Sequence, residues 1–188
     1  MFLNHDAAFE TFAPVTPVSA LGHRLTLTAS TLIEAERGWL CAAELTSGDS
    51  VATLDGGFAE LRAVETAPDA PLIHIPGGTL STCSDAVLPA DTHVALDMPA
   101  AFSDAPVVSV PLQALVGWRG IRRAENECAP CVTLMLRDEE LVYAHTGLLL
   151  HAGTAAPGFY ERKSYGETRA LLALMDGTMP APDLATAA

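Results

Sequence analysis

Positive charge is what this chain has least of. Its 188 residues hold 10 lysines and arginines against 23 aspartates and glutamates, for a formal net charge of −13, and Lys163 is the only lysine. A surface of that sign repels a phosphate backbone, so nucleic acid is excluded as a partner class. Attachment to an anionic membrane is disfavoured for the same reason. No apolar run approaches the roughly 20 residues needed to cross a bilayer. The first twenty residues, MFLNHDAAFETFAPVTPVSA, lack a positive n-region and carry acids among their apolar positions. They do not read as a secretory signal. The expected location is therefore the cytoplasm by default, with signal-free export left open. Cysteine is also scarce. Four cysteines in a chain of this length do not make a disulfide scaffold.

What the chain does have is apolar residues, 49% of the total, enough for a sizeable core, in short runs broken by turn residues. Strands are expected at Leu25–Ile33, Trp39–Leu45, Ser50–Leu54, Ala59–Thr66, Leu72–Ile75, Val94–Leu96, Val107–Pro111, Val132–Leu136, Leu141–Ala144 and Gly147–His151. Many short strands with Gly, Asp and Pro at the reversals predict an all-β domain. Residues 161–176, ERKSYGETRALLALMD, instead predict a helix, with Gly177 as its stop. The expected division is an N-terminal arm over 1–20, a β domain over 21–155, and a C-terminal helix with a disordered tail over 156–188.

The densest pattern is STLIEAERGWLCAAELTSGDSVATLDGG at 30–57. It reads as a strand, a turn at Glu36-Arg37-Gly38, a second strand, a Gly48-Asp49-x-Val51 step, and a tight turn at Asp55-Gly56-Gly57. That order resembles the opening of a Hint domain, the module shared by hedgehog autoprocessing domains and inteins. Four later segments resemble the family's bacterial stand-alone members in the right order. They are Pro71–Leu80, Val87–Leu96, Pro111–Val116 and Thr133–Gly147. Together the resemblance covers roughly residues 24–160. It implies an all-β horseshoe of short strands with pseudo-two-fold halves, followed here by one C-terminal helix.

The resemblance also implies a chemistry. A Cys or Ser side chain attacks the carbonyl before it, turning an amide into a thioester or ester, and the departing nitrogen must be protonated. Aligned on Ser30–Ile33, the nucleophile position falls at Thr26, with Thr28 the alternative register. The other reading of both threonines is as strand residues, which β-branched side chains suit. His93 stands at the position of the motif histidine, while the motif threonine is replaced by Ala90. A lone His at a strand end is equally a hydrogen-bonded structural group. In the closing block the expected His aligns with Glu139, between Asp138 and Glu140. Three successive acids suggest a solvated turn, with Asp138 a candidate second acid-base group. Protein splicing is excluded, because it needs a C-terminal Asn to cyclise, and the chain contains only Asn4 and Asn126. The function expected is a degenerate Hint-like domain serving as a binding or assembly module for an unidentified protein partner. Active self-cleavage through Thr26 and His93 is the alternative.

A third reading, from a different class, centres on Cys128-Ala129-Pro130-Cys131. A redox Cys-x-x-Cys opens a helix, and here a strand is expected to follow, so the alternative is a surface turn whose thiols pair under oxidation. As half a zinc site it lacks two ligands. His145 and His151, six apart on one expected strand face, are the remaining candidates. No cofactor and no metal are expected. Gly56-Gly57 and Gly77-Gly78 read as turns, and Trp39 and Trp118 as core or groove aromatics.

Overall fold

The computed structural model describes residues 22–100, 102, 104–154 and 156–176, with the side chains of 125–127 left aside. The expected arm over 1–20 and the tail beyond 176 lie outside these residues. The period-two pattern of the first strand, β1 (His23–Thr28), sets its faces. Leu25 and Leu27 are buried while Thr26, between them, is half-buried on the opposite face. The strand expected to run on to Ile33 stops at Thr28. There a turn closes with the Thr31 N–H donating to the Thr28 carbonyl at 3.0 Å and the two hydroxyls meeting at 2.8 Å. The hairpin β2 (Leu32–Ala35) and β3 (Gly38–Cys41) follows. It ends in a single 3-10 turn over Ala42–Glu44, where the Glu44 carboxylate accepts from the Cys41 N–H at 2.9 Å.

After β4 (Ser50–Thr53) the chain turns at Asp55–Gly57, as the sequence predicts, into β5 (Gly57–Ile75). The two strands expected at Ala59–Thr66 and Leu72–Ile75 are one strand of 19 residues. Pro68 and Pro71 argue against a continuous strand because proline cannot donate to the ladder. The ladder absorbs them by slipping register between Ala67 and Ala70 and again between Pro71 and Ile73. A strand over Ala86–Pro89 (β6), not expected from the pattern, pairs with the end of β5. Then come β7 (His93–Asp97), β8 (Val107–Pro111), β9 (Arg122–Leu136), β10 (Glu140–Ala144) and β11 (Leu148–Ala152).

All strand pairings are antiparallel, in the order β1-β9-β5-β4-β2-β10-β11-β7-β8, with β3 on β2 and β6 on β5. The result is the expected all-β architecture, a curled antiparallel sheet with one C-terminal helix. Its hydrophobic core holds Leu27, Ile33, Leu61, Ile73, Leu134 and Leu136, all essentially inaccessible. The β10–β11 turn presses on the loop at Ser81. Gly147 there has φ +144°, and a Cβ would meet the Ser81 carbonyl oxygen at 2.4 Å, so no other residue fits.

Helix α1 (Tyr165–Met175) starts later than 161 because residues 161–163 are extended along β8. The Ser109 N–H donates to the Glu161 carbonyl, and the Lys163 N–H to the Ser109 carbonyl, each at 2.8 Å. Ser164 and Glu167 then form a capping box. Leu171 and Leu172 seat the helix on the core, and Asp176 accepts from the Trp118 indole N–H at 3.2 Å.

Leu134 faces Leu25 on one side and Val64 on the other and is fully buried. Leu134→Ala should destabilise the protein by about 2–5 kcal/mol. Urea unfolding should show this as a lower midpoint with an unchanged slope.

Candidate functional site

Three strands and one extended segment bring the site together. Thr26 comes from β1, His93 opens β7, His151 lies near the end of β11, and Arg162 is carried by the segment laid along β8. Thr92, Asp91 and Thr154 complete the wall of a cavity of about 220 Å3 that also touches Leu25 and Arg24. Thr26 and His93, paired by sequence reasoning, do face one space.

Around Thr26 the backbone is a regular ladder. Leu25 opposes Leu134 and Thr26 opposes Thr133. The Thr26 and Thr133 hydroxyls hydrogen-bond across the strands at 2.9 Å, and the Thr92 hydroxyl donates to the Thr26 carbonyl at 3.2 Å. The residues with positive φ lie elsewhere, at Leu80, Ser81, Arg119, His145 and Thr146 among the non-glycines. The alternative nucleophile, Thr28, is buried away from the cavity, with its hydroxyl donating to the Val87 carbonyl at 2.9 Å. Ala90, at the motif threonine position, packs against the hydrophobic core.

His93 is held at both nitrogens. Its Nε2 lies 3.0 Å from an Arg162 terminal nitrogen. A guanidinium can only donate, so Nε2 is the acceptor, and the neutral ring carries its proton on Nδ1. The ring also hydrogen-bonds the Asp91 backbone. Burial, reinforced by the positive charge of Arg162, pushes the imidazole from its ordinary 6.5 down to about 4. At neutral pH His93 is therefore uncharged, with its basic nitrogen occupied.

His151 is buried more deeply and is also fully committed. Its Nε2 is 2.7 Å from Glu139 Oε1, and its Nδ1 is 2.7 Å from Ser109 Oγ. A carboxylate accepts, so Nε2 carries the proton and Nδ1 accepts from the serine hydroxyl. Burial lowers its pKa and Glu139 opposes that. The ring crosses over Gly153, where a Cβ would meet it at 2.5 Å. Tyr160 stacks edge-on to it at 5.8 Å, and the tyrosine hydroxyl donates to Asp55 at 2.5 Å. Ser109-His151-Glu139 thus has the composition of a nucleophilic triad, but Ser109 is 1% exposed and does not line the cavity. The chain of bonds anchors strands rather than attacking a substrate.

The acidic turn at 138–140 divides. Asp138 is exposed, 3.8 Å from Arg137, outside the cavity. Glu139 turns inward, where it holds His151 and also accepts from the Phe159 N–H. Glu140 is half-buried, and burial raises its carboxyl above the usual range. The Cys-x-x-Cys does not form a surface turn. Both cysteines lie within β9, three residues apart on an extended strand, and so face opposite ways. Cys128 is exposed and Cys131 is 1% exposed, so this pair cannot bridge. His145 sits in the β10–β11 turn, within reach of the Leu32 N–H and Ser84, not on one strand with His151. Among the described residues no group of three potential ligands is placed to hold a metal ion. Trp118 is a core residue, while Trp39 is 40% exposed.

Sequence reasoning passed over Ser109, Arg162 and the role of His151. The one available signal was His151 itself, a polar residue ending the apolar run Leu148–Leu150. Arg162 gave none, because its place follows from how the last extended segment docks.

No protein-family model and no curated protein matches the chain. Among solved structures it is similar to the MchDnaB-1 intein, at 13% identity and TM-score 0.48, over 66% of this chain and 98% of that one. It is also similar to the Msm DnaB1 intein splicing domain bound with zinc, at 15% identity and TM-score 0.45, over 65% and 98%.

The depressed histidines set a pH dependence. Between 6.5 and about 4 the unfolded chain takes up a proton at the His93 position that the folded chain refuses. Stability is full above pH 6.5 and declines as pH falls through that window. His151 and His145, also lowered by burial, act in the same direction. Glu140, raised above its ordinary 4.5, acts against them. The urea midpoint should therefore hold steady above pH 7 and drop on acidification towards pH 4. His93→Gln should flatten part of that slope.

Proposed function

We propose that this chain is a Hint-type scaffold of the hedgehog/intein kind in which self-cleavage has been lost, and which works as a binding or assembly module through the cavity beside Thr26. The four ordered sequence segments and the curled antiparallel sheet support the scaffold. The observation that carries the loss of chemistry is the Arg162 guanidinium on His93 Nε2.

An acyl shift at this position joins Thr26 Oγ1 to the Leu25 carbonyl carbon, breaks the 25–26 peptide bond, and moves a proton to the freed Thr26 nitrogen. A neutral His93 whose proton is bonded to backbone, and whose lone pair is covered by a cation, neither takes the hydroxyl proton nor delivers one to nitrogen. The Thr26 hydroxyl is paired with Thr133, and the 25–26 peptide belongs to an unstrained ladder. Asp138 is too exposed to replace the missing groups, and Glu139 is spent on His151.

Active self-cleavage is the second reading, favoured by the shared cavity that puts Thr26 and His93 on one wall. Hydroxylamine separates the two, because it captures an ester at Thr26 and splits the chain between Leu25 and Thr26. Intact-mass spectrometry after overnight incubation should show full-length chain only, for the native protein and for Thr26→Ala alike. A fragment pair from the native protein that disappears in Thr26→Ala would establish self-cleavage instead.

A further inference from the structure

Arg162 is the one arginine that the fold half-buries, the other eight being exposed. The protein carries a net charge of −13, and three of the exposed arginines, Arg24, Arg37 and Arg137, have carboxylates at 3.0 to 3.8 Å. Arg162 has no carboxylate partner among the described residues. One terminal nitrogen donates to the Thr154 carbonyl and the other to His93 Nε2. Both acceptors are neutral, and the guanidinium has five N–H donors in a planar fork. A half-buried cation without a counter-ion is an incomplete arrangement, because charge removed from water is stable only when paired. The space that would hold the counter-ion is present. The cavity of about 220 Å3 lies against Arg162, with the hydroxyl-bearing residues Thr26, Thr92 and Thr154 on its wall.

We infer that the cavity binds a small carboxylate monoanion on the Arg162 guanidinium. This rests on the reading of the cavity as a binding site rather than a self-cleaving one. Its size favours a small ligand. At about 30 Å3 per water in the liquid, it has room for about seven waters, below the usual range for drug-sized ligands. Its charge favours a monoanion. Asp91 on the wall and the acidic surface beyond repel a dianion, while a single carboxylate matches the guanidinium fork. The two imidazoles are uncharged at neutral pH and so add no further positive charge to favour a dianion. The carboxylate can belong to a free acid or to the C-terminus of a peptide. Both present the same group.

The test titrates the full chain at pH 7.5 and constant ionic strength, following the His93 and His151 ring signals by NMR. The probes are propionate, propionamide, inorganic phosphate, and N-acetyl-dialanine as free acid and as amide. The two acids should shift the ring signals saturably and the amides should not. Arg162→Gln should weaken acid binding by about tenfold or more, the loss expected when a charge-assisted fork is removed. Tighter binding of the peptide acid assigns the ligand to a chain terminus, and tighter binding of propionate to a free acid. The proposal is overturned if amide and acid shift the rings equally, if phosphate binds more tightly than either acid, or if neither acid binds. The acid-against-amide contrast is read on the native chain and holds even if Arg162→Gln fails to fold. Intact mass is measured on the same samples. Chain broken at 25–26 defeats the binding-site reading itself, whereas intact chain that ignores carboxylates defeats only this proposal.

Discussion

The long antiparallel ladder between β5 and β9 carries the fold. β5 is bonded in turn to β4, β9 and β6, and β9 is bonded on its other edge to β1. One strand therefore belongs to both halves of the curled sheet, and the position of β1 depends on it at second hand. Thr26 stands where it does because Leu25 and Leu27 must face the core and because Thr133 fixes the register opposite. The cavity is a by-product of that constraint. It opens beside Arg24–Thr26, within the paired length of β1, where the segment after β11 passes over.

The groups around the cavity are arranged to stay uncharged or paired. Burying an imidazole in its charged form is unfavourable, and both rings avoid it by taking fixed hydrogen bonds at both nitrogens. Such bonds position a ring well and leave it little to do as an acid or base. The same network ties β8, β11, the turn at 138–140 and the segment near 159 to one another. Ser109, His151 and Glu139 thus tie strands together. The one unbalanced member is a cation.

Much of the fold was legible in the sequence because its signals are local. Short apolar runs between turn residues marked β4, β8, β10 and β11, and the Asp55-Gly56-Gly57 turn fell where expected. The helix was legible from propensity over 161–176, and its start at Tyr165 is fixed by the Ser164-Tyr165-Gly166-Glu167 capping box. The failures are tertiary. Two prolines concealed the continuity of β5, since a register slip between paired strands leaves no trace in one of them. β6 was hidden because Ala86–Pro89 gains its strand character from β5. At the site, the position of His93 was legible from the motif, but its chemical state was not. That state is decided by burial and by a residue 69 positions later in the chain, neither of which a local pattern announces. Glu139 shows the reverse. Among three acids it reads as solvated, and only the fold separates it from Asp138.

Arg162 reaches the cavity on the last extended segment before the helix, after every other wall residue has been laid down. Synthesis runs from the N-terminus, so Arg162 is the last wall residue to be made, and it reaches its place only when the segment after β11 docks. Until then His93 Nε2 has no guanidinium over it. The order of translation therefore gives the site a brief youth, in which the imidazole is open, and a long maturity, in which it is capped.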